Sequence, residues 1–151
     1  VNIEEHNLDE FIIEATLAHR EMLQQKNISL ECIVPHDLNW FFDQSLVTGV
    51  INNVVNNAYI YTRSKVLISV SKENDWLMIA IEDDGPGYPQ EMLTDDGQQQ
   101  TGISFSTGST GLGLFFSQQV ATLHTHRHKK GHIQLDNNGV ENGGRFLLYL
   151  P

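Results

Sequence analysis

The chain has 151 residues, 40% of them hydrophobic, and a formal net charge of −10, with 9 Lys+Arg against 19 Asp+Glu. That length and composition suit a single domain with a real core, and the acidic balance argues against nucleic acid as a partner, because phosphate tracking wants a basic face. No apolar run approaches membrane-spanning length and no signal-peptide pattern opens the chain, so a cytoplasmic setting is expected, while the missing initial methionine favours a piece of a longer protein.

In chain order, Leu8, Phe11, Ile12, Ala15, Ala18, Met22 and Leu23 form one apolar stripe. This predicts a helix over 8–25, with Asn7 and Glu10 as its N-terminal cap. Residues 28–33 alternate and read as a strand, and the single cysteine, Cys32, reads as a buried reduced thiol within it. Pro35-His36-Asp37 turns, and 38–42 predicts a short second strand. Asp43 then caps a helix running to about Tyr61, on which Leu46, Val50, Val54 and Ala58 recur at helical spacing and Asn53 and Asn57 share one face. Residues 66–71 and 76–82 predict a hairpin turning at Glu73-Asn74-Asp75. From Tyr88 to Gly108 the chain is long, polar and poor in apolar anchors, which reads as a mobile lid. Residues 112–123 predict a third helix. His124, His126 and His128 follow among Arg127, Lys129 and Lys130, a solvated basic loop rather than a metal site, since no cysteine or carboxylate completes a ligand set. Strands at 132–135 and 145–150, joined through Asn137-Asn138-Gly139, close the chain. The order describes a two-layer α/β sandwich, a mixed and mostly antiparallel sheet covered by three helices. A Rossmann arrangement fails, because the glycine motifs do not each sit in a βαβ unit.

Three stretches carry chemistry. Asn52-Asn53-Val54-Val55-Asn56-Asn57-Ala58 packs asparagines, which are poor helix formers, into one helix. Paired amides suit a hydrated Mg²⁺, which prefers oxygen ligands and bridges phosphates. Asp83-Asp84-Gly85-Pro86-Gly87 sets acidic residues in a tight glycine turn at the end of an apolar strand, where a carboxylate can accept an adenine amino hydrogen. Gly108-Ser109-Thr110-Gly111-Leu112-Gly113-Leu114 places glycines before a helix, so that bare N–H groups and the helix dipole favour phosphate. Together they point to an ATP site without a Walker loop.

In this order the stretches resemble the N box and the two glycine boxes of the catalytic, ATP-binding domain of bacterial sensor histidine kinases, within the gyrase/MutL-type ATPase superfamily. The close Gly143-Gly144-Arg145-Phe146 with Leu150-Pro151 is similar to that family's ending, as are Glu14-Ala15, the Lys26–Leu30 segment and Asp43. The resemblance covers nearly the whole chain and implies a Bergerat-type fold. It implies that Asn57 coordinates Mg²⁺ with help from Asn53, these two being the catalytic pair. Asp83 would accept the adenine amino hydrogen. Gly85, Gly87 and Tyr61 would line the base site, and Gly108, Thr110, Gly111, Leu112, Gly113 and Leu114 would belong to the phosphate stretch, with the two leucine side chains packing. Asp84 is expected to face solvent. The implied activity is transfer of the ATP γ-phosphate to a histidine on a separate dimerisation domain upstream of Val1. The implied partners are ATP, that helical domain and, through a homodimeric parent protein with or without a membrane anchor, a response regulator.

The sequence departs from the family in places. Ile60 stands where a lysine is usual, no Lys or Arg occurs between Lys72 and Arg127, Asp95 and Asp96 lie in the lid, and Phe105 alone remains of the F box. Phosphate charge then falls to Mg²⁺, backbone donors and Arg63 or Lys65. Two other readings stay open: a free-standing serine kinase of the anti-sigma-factor type, and a degenerate nucleotide-binding or interaction module.

Overall fold

The structure is a computed structural model that describes residues 1–93 and 109–151. Most of the expected lid therefore lies outside the described residues, as do Asp95, Asp96, Phe105 and Gly108. Among the described residues no helix is long and apolar enough to cross a membrane.

Strand β1 (Glu4–Asn7) leads into α1 (Leu8–Gln25), β2 (Ser29–Ile33), β3 (Asn39–Phe42) and α2 (Gln44–Tyr61). The hairpin β4 (Lys65–Glu73) and β5 (Trp76–Asp83) follows, then a 3₁₀ turn at Gln90–Leu93. Helix α3 (Ser109–Leu123), the small hairpin β6 (Thr125–His126) and β7 (Lys129–Lys130), and strands β8 (His132–Asp136) and β9 (Arg145–Leu150) complete the order. The main sheet runs β2-β4-β5-β9-β8, with β2 parallel to β4 and every other pair antiparallel. Parallel neighbours need a crossover, and α2 lies within this one. This is the expected two-layer α/β sandwich with a mixed, mostly antiparallel sheet and, among the described residues, three helices.

Period-2 alternation fills the inner sheet face with Val66, Ile68 and Val70, Leu77, Ile79 and Ile81, and Phe146, Leu148 and Leu150, all buried. Against them α2 sets Val47, Val50, Ile51, Val54, Val55 and Ala58, and α1 sets Leu8, Phe11, Ile12 and Leu23. On α1 the apolar stripe is shifted from expectation. Thr16 is fully buried while Ala18 is exposed. Thr16 tolerates this because its hydroxyl donates to the Ile12 carbonyl at 2.7 Å.

The helix ends follow local chemistry. Asn7 Oδ1 accepts the Glu10 N–H at 3.0 Å, and Asp43 Oδ1 accepts that of Leu46 at 3.0 Å, as both caps predict. At the other end of α1, Asn27 takes φ 61° and the Ile28 N–H reaches back to the Leu23 carbonyl at 2.9 Å, a Schellman stop.

Three features were not expected. The polar segment of β1 is a strand because it pairs with β3, from Glu4 opposite Phe42 to Asn7 opposite Asn39. The basic segment folds as a hairpin whose central residues, Arg127 and His128, have φ 48° and 71°, the type I′ geometry. Cys32 is half-buried rather than buried, with Arg20 Nη2 3.3 Å from its sulfur, and partial burial pushes the thiol up.

His124 separates from the other histidines. It is buried, its Nε2 accepts the Asp43 N–H at 3.0 Å, and its Nδ1 donates to the Val120 carbonyl at 2.8 Å. The ring thus spends both nitrogens joining the end of α3 to the start of α2. His124→Leu would leave the buried Asp43 N–H without its acceptor and is expected to cost about 1–3 kcal/mol. Urea unfolding reads this as a lower midpoint at unchanged slope, and an unchanged midpoint would rule out the tie.

Candidate functional site

The inward series Leu77, Ile79, Ile81 on β5 ends with Asp83, whose side chain therefore continues toward the helices rather than the open face. There it borders a cavity of about 260 Å³. Val54, Asn57, Ala58 and Tyr61 of α2 form one wall, and Pro86, Gly87, Tyr88, Pro89 and Met92 form the other, with Gly144 beside Asp83. The helical spacing of 54, 57, 58 and 61 puts these residues on one face. The lining is mostly apolar with a few polar groups, as small-molecule sites are.

Asp83 is half-buried. Its Oδ1 accepts the Gly85 N–H at 2.8 Å, while its own N–H donates to the Gly144 carbonyl at 3.0 Å. Burial pushes its carboxyl up, opposed in part by the N–H groups of Gly85 and Gly144. Gly85 stands behind the cavity rather than in it. A Cβ there would lie 2.6 Å from the Tyr61 carbonyl oxygen, so glycine lets the turn close on the end of α2.

Asp84 overturns the expectation of a solvent-facing residue. It is 5% exposed. Its Oδ1 accepts the N–H groups of Arg63, Ser64 and Lys65 at 2.9, 3.0 and 3.2 Å, and Oδ2 accepts the Ser64 hydroxyl at 2.6 Å. Burial pushes this carboxyl up, but the bonds from Ser64, Lys65 and Arg63 outweigh it and hold the group well below the usual carboxylate range. Asp84 fits inside because the turn after α2 has backbone donors that need an acceptor.

The four asparagines divide by face. Asn52 Oδ1 accepts from His19 Nε2 at 2.7 Å, and Asn56 is exposed. Asn53 and Asn57 are half-buried, and among the described residues neither side chain is engaged in a hydrogen bond. Gly113 of α3 lies against both, with a Cβ position 3.6 Å from Asn53 Cβ and 4.0 Å from Asn57 Nδ2. So α3 brings its first turns beside unspent amides. Gly111 and Leu114 are buried there, whereas Leu112, expected to pack, is 59% exposed on the outer side of α3. Thr110 lies in the first turn of α3.

Among the described residues no cationic side chain lines the cavity. Lys65 Nζ lies 3.0 Å from Glu31 Oε1, beside the helix-free sheet face, and Ile60 is 56% exposed. Tyr88, Pro89, Met92 and Gly144 line the cavity but were not anticipated. The sole available signal was their place just after the first glycine box and in the closing Gly-Gly.

The profile of the family described as "Histidine kinase-, DNA gyrase B-, and HSP90-like ATPase" matches residues 42–151, and the chain belongs to that family. Among its relatives, the adaptive-response sensory kinase SasA of Prochlorococcus marinus is 27% identical over 130 residues, covering 82% of this chain and 34% of SasA. The sensor protein PhoQ of Escherichia coli is 26% identical over 129 residues, covering 83% of this chain and 26% of PhoQ. The chain thus spans about a third or less of these relatives. The nucleotide-free catalytic domain of histidine kinase ThkA superposes with a TM-score of 0.84 at 26% identity, covering 100% of this chain and 98% of that one.

Because the Asp84 carboxyl titrates lower in the fold than its unfolded value of about 3.9, the stability it contributes is complete above that pH and is lost as pH falls toward the folded value. Asp84→Ala is expected to cost about 1.5–3 kcal/mol at neutral pH and to shrink the loss of stability below about pH 4. Urea unfolding across pH checks both, and a variant as acid-labile as the parent would assign that loss to other carboxylates.

Proposed function

We propose that this chain is the ATP- and Mg²⁺-binding catalytic domain of a two-component sensor histidine kinase. One observation carries the reading: a single cavity joins a half-buried carboxylate, Asp83, to the unspent amide of Asn57, with Gly113 of α3 beside that amide. Asp83 accepts the adenine amino hydrogen at the cavity floor. Tyr61, Val54, Ala58, Tyr88 and Met92 supply the apolar walls for the base. The residues fit a hydrated cation as well, since Asn53 and Asn57 offer neutral oxygens that do not repel a triphosphate. Mg²⁺, when bound, would neutralise phosphate charge. The N–H groups opening α3, from Ser109 to Leu112, face the phosphates.

The chain's work is then positioning and charge neutralisation. The γ-phosphate goes to a histidine on a separate dimerisation domain, and the parent, a homodimer, hands it to a response regulator. Support comes from the relative named as an adaptive-response sensory kinase, from the sensor protein PhoQ, and from the superposed catalytic domain of histidine kinase ThkA. Exposed Ile60 and the Lys65–Glu31 pair favour a second reading, a domain that binds nucleotide weakly and acts through contacts. Titration of an ATP analogue with and without Mg²⁺ separates the two. Tight, metal-enhanced binding supports catalysis, and binding indifferent to metal supports the module.

Asp83→Asn keeps the acceptor for Gly85 but presents an amide donor to the base. ADP affinity is expected to fall by about 1.5–3 kcal/mol, the worth of a charged hydrogen bond. Since burial disfavours the ionised Asp83, removing its charge relieves that cost, and the variant should unfold in urea no earlier than the parent. Equal calorimetric affinities for ADP would take Asp83 out of the site. Asn57→Ala should make nucleotide affinity nearly indifferent to Mg²⁺, and retention of the parent's Mg²⁺ enhancement would count against the assignment.

A further inference from the structure

The cavity wall facing α2 is fastened by a side chain outside the N box and both glycine boxes. Asn137 follows β8 in the turn toward β9. Its Oδ1 accepts the Tyr88 N–H at 2.8 Å, and its Nδ2 donates to the Tyr88 carbonyl at 3.1 Å. One amide therefore satisfies both main-chain groups of a residue that has no strand neighbour. Gly87 completes the fit. Its φ is 87°, and a Cβ there would stand 2.8 Å from Asn137 Oδ1.

The turn that holds Asn137 is itself held. Arg145 Nη2 donates to Asp136 Oδ2 at 2.7 Å and Arg145 Nε to Oδ1 at 3.0 Å, while Asp136 Oδ1 also accepts the Asn138 N–H at 2.9 Å. The path runs from the sheet through Asp136 to Asn137, from Asn137 to Tyr88, and from Tyr88 and Pro89 into the cavity beside Asp83. The Tyr88 ring edge lies 3.1 Å from where a Gly144 side chain would begin, so the wall has little slack on that side.

We propose that Asn137 is a positioning residue for base recognition: its clamp on Tyr88 holds the wall that confines a purine against Asp83, and selectivity for adenine depends on it. The proposal rests on the nucleotide-binding reading above. A simple fastening role would lower stability and weaken all ligands alike. A positioning role would change the choice between bases.

The test uses the chain as it stands, with two variants. Asn137→Asp keeps the size and the Oδ1 acceptor but sets an oxygen against the Tyr88 carbonyl. Asn137→Ala removes the clamp without adding charge near Asp83 and Asp136. ADP and GDP affinities are measured by calorimetry, alongside urea midpoints and amide hydrogen exchange. In both variants the ADP affinity is expected to fall about tenfold, on the scale of one hydrogen bond. The preference for ADP over GDP should narrow and the Tyr88 amide should exchange faster, while the β5 and β9 amides stay protected. An unchanged ADP:GDP ratio with a faster Tyr88 amide would overturn the proposal. So would equal losses for ADP and GDP that track a falling urea midpoint. If the unmutated chain binds neither nucleotide, the functional reading fails and takes this one with it. If the unmutated chain binds ADP, a null result in the variants sinks Asn137 alone.

Discussion

The carboxylate of Asp84 ties three elements at one point: the end of α2, the turn into β4 and the end of β5. Its oxygens collect the N–H groups of Arg63, Ser64 and Lys65 and the Ser64 hydroxyl. These main-chain donors need an acceptor, and β2 reaches only the Ser64 carbonyl, through the Ser29 N–H at 2.8 Å, so one ionised side chain takes the donors. The position of the cavity follows. Asp83 is the residue before Asp84, Tyr61 is two residues before Arg63, and Gly85 packs on the Tyr61 carbonyl. Two adjacent carboxylates thus have opposite electrostatic settings. One is held charged by several donors. The other is half-buried with fewer donors, and its charge is partly uncompensated. A carboxylate in the second setting has acceptor capacity left for a ligand.

The site is assembled from neutral or anionic side chains, in a chain with net charge −10. Lys65 is paired with Glu31 and is not available to the cavity. Asn53 and Asn57 offer oxygen without adding charge, and α3 offers partial positive charge from its opening N–H groups. Under the nucleotide-binding proposal, such a site leaves the neutralisation of a polyphosphate to what arrives with it.

Much of this was legible in the sequence where a pattern repeated. The spacing of α2 put Asn53 and Asn57 on one face, while the roles expected of Asp83 and Asn57 came from the chemistry of the glycine turn and the paired amides and from the family resemblance. The caps at Asn7 and Asp43 followed from side-chain chemistry one turn long. What escaped reading depended on distant partners. β1 is polar and becomes a strand only through β3. Asp84 is internal only because the turn after α2 presents donors. Leu112 was expected to pack but sits on the outer side of α3. Tyr88 and Asn137 meet across 49 positions, and neither carries a local signature of the contact.

β9 is the last strand in sequence order and sits inside the sheet, between β5 and β8. During vectorial synthesis the β4–β5 hairpin emerges long before it. Until residues 145–150 leave the ribosome, β5 presents an open edge beside the apolar face formed by Leu77, Ile79 and Ile81. An unpaired edge of that kind is a template for wrong partners. The nascent chain therefore spends its vulnerable interval with β5, the very strand that carries Asp83, uncovered along one side.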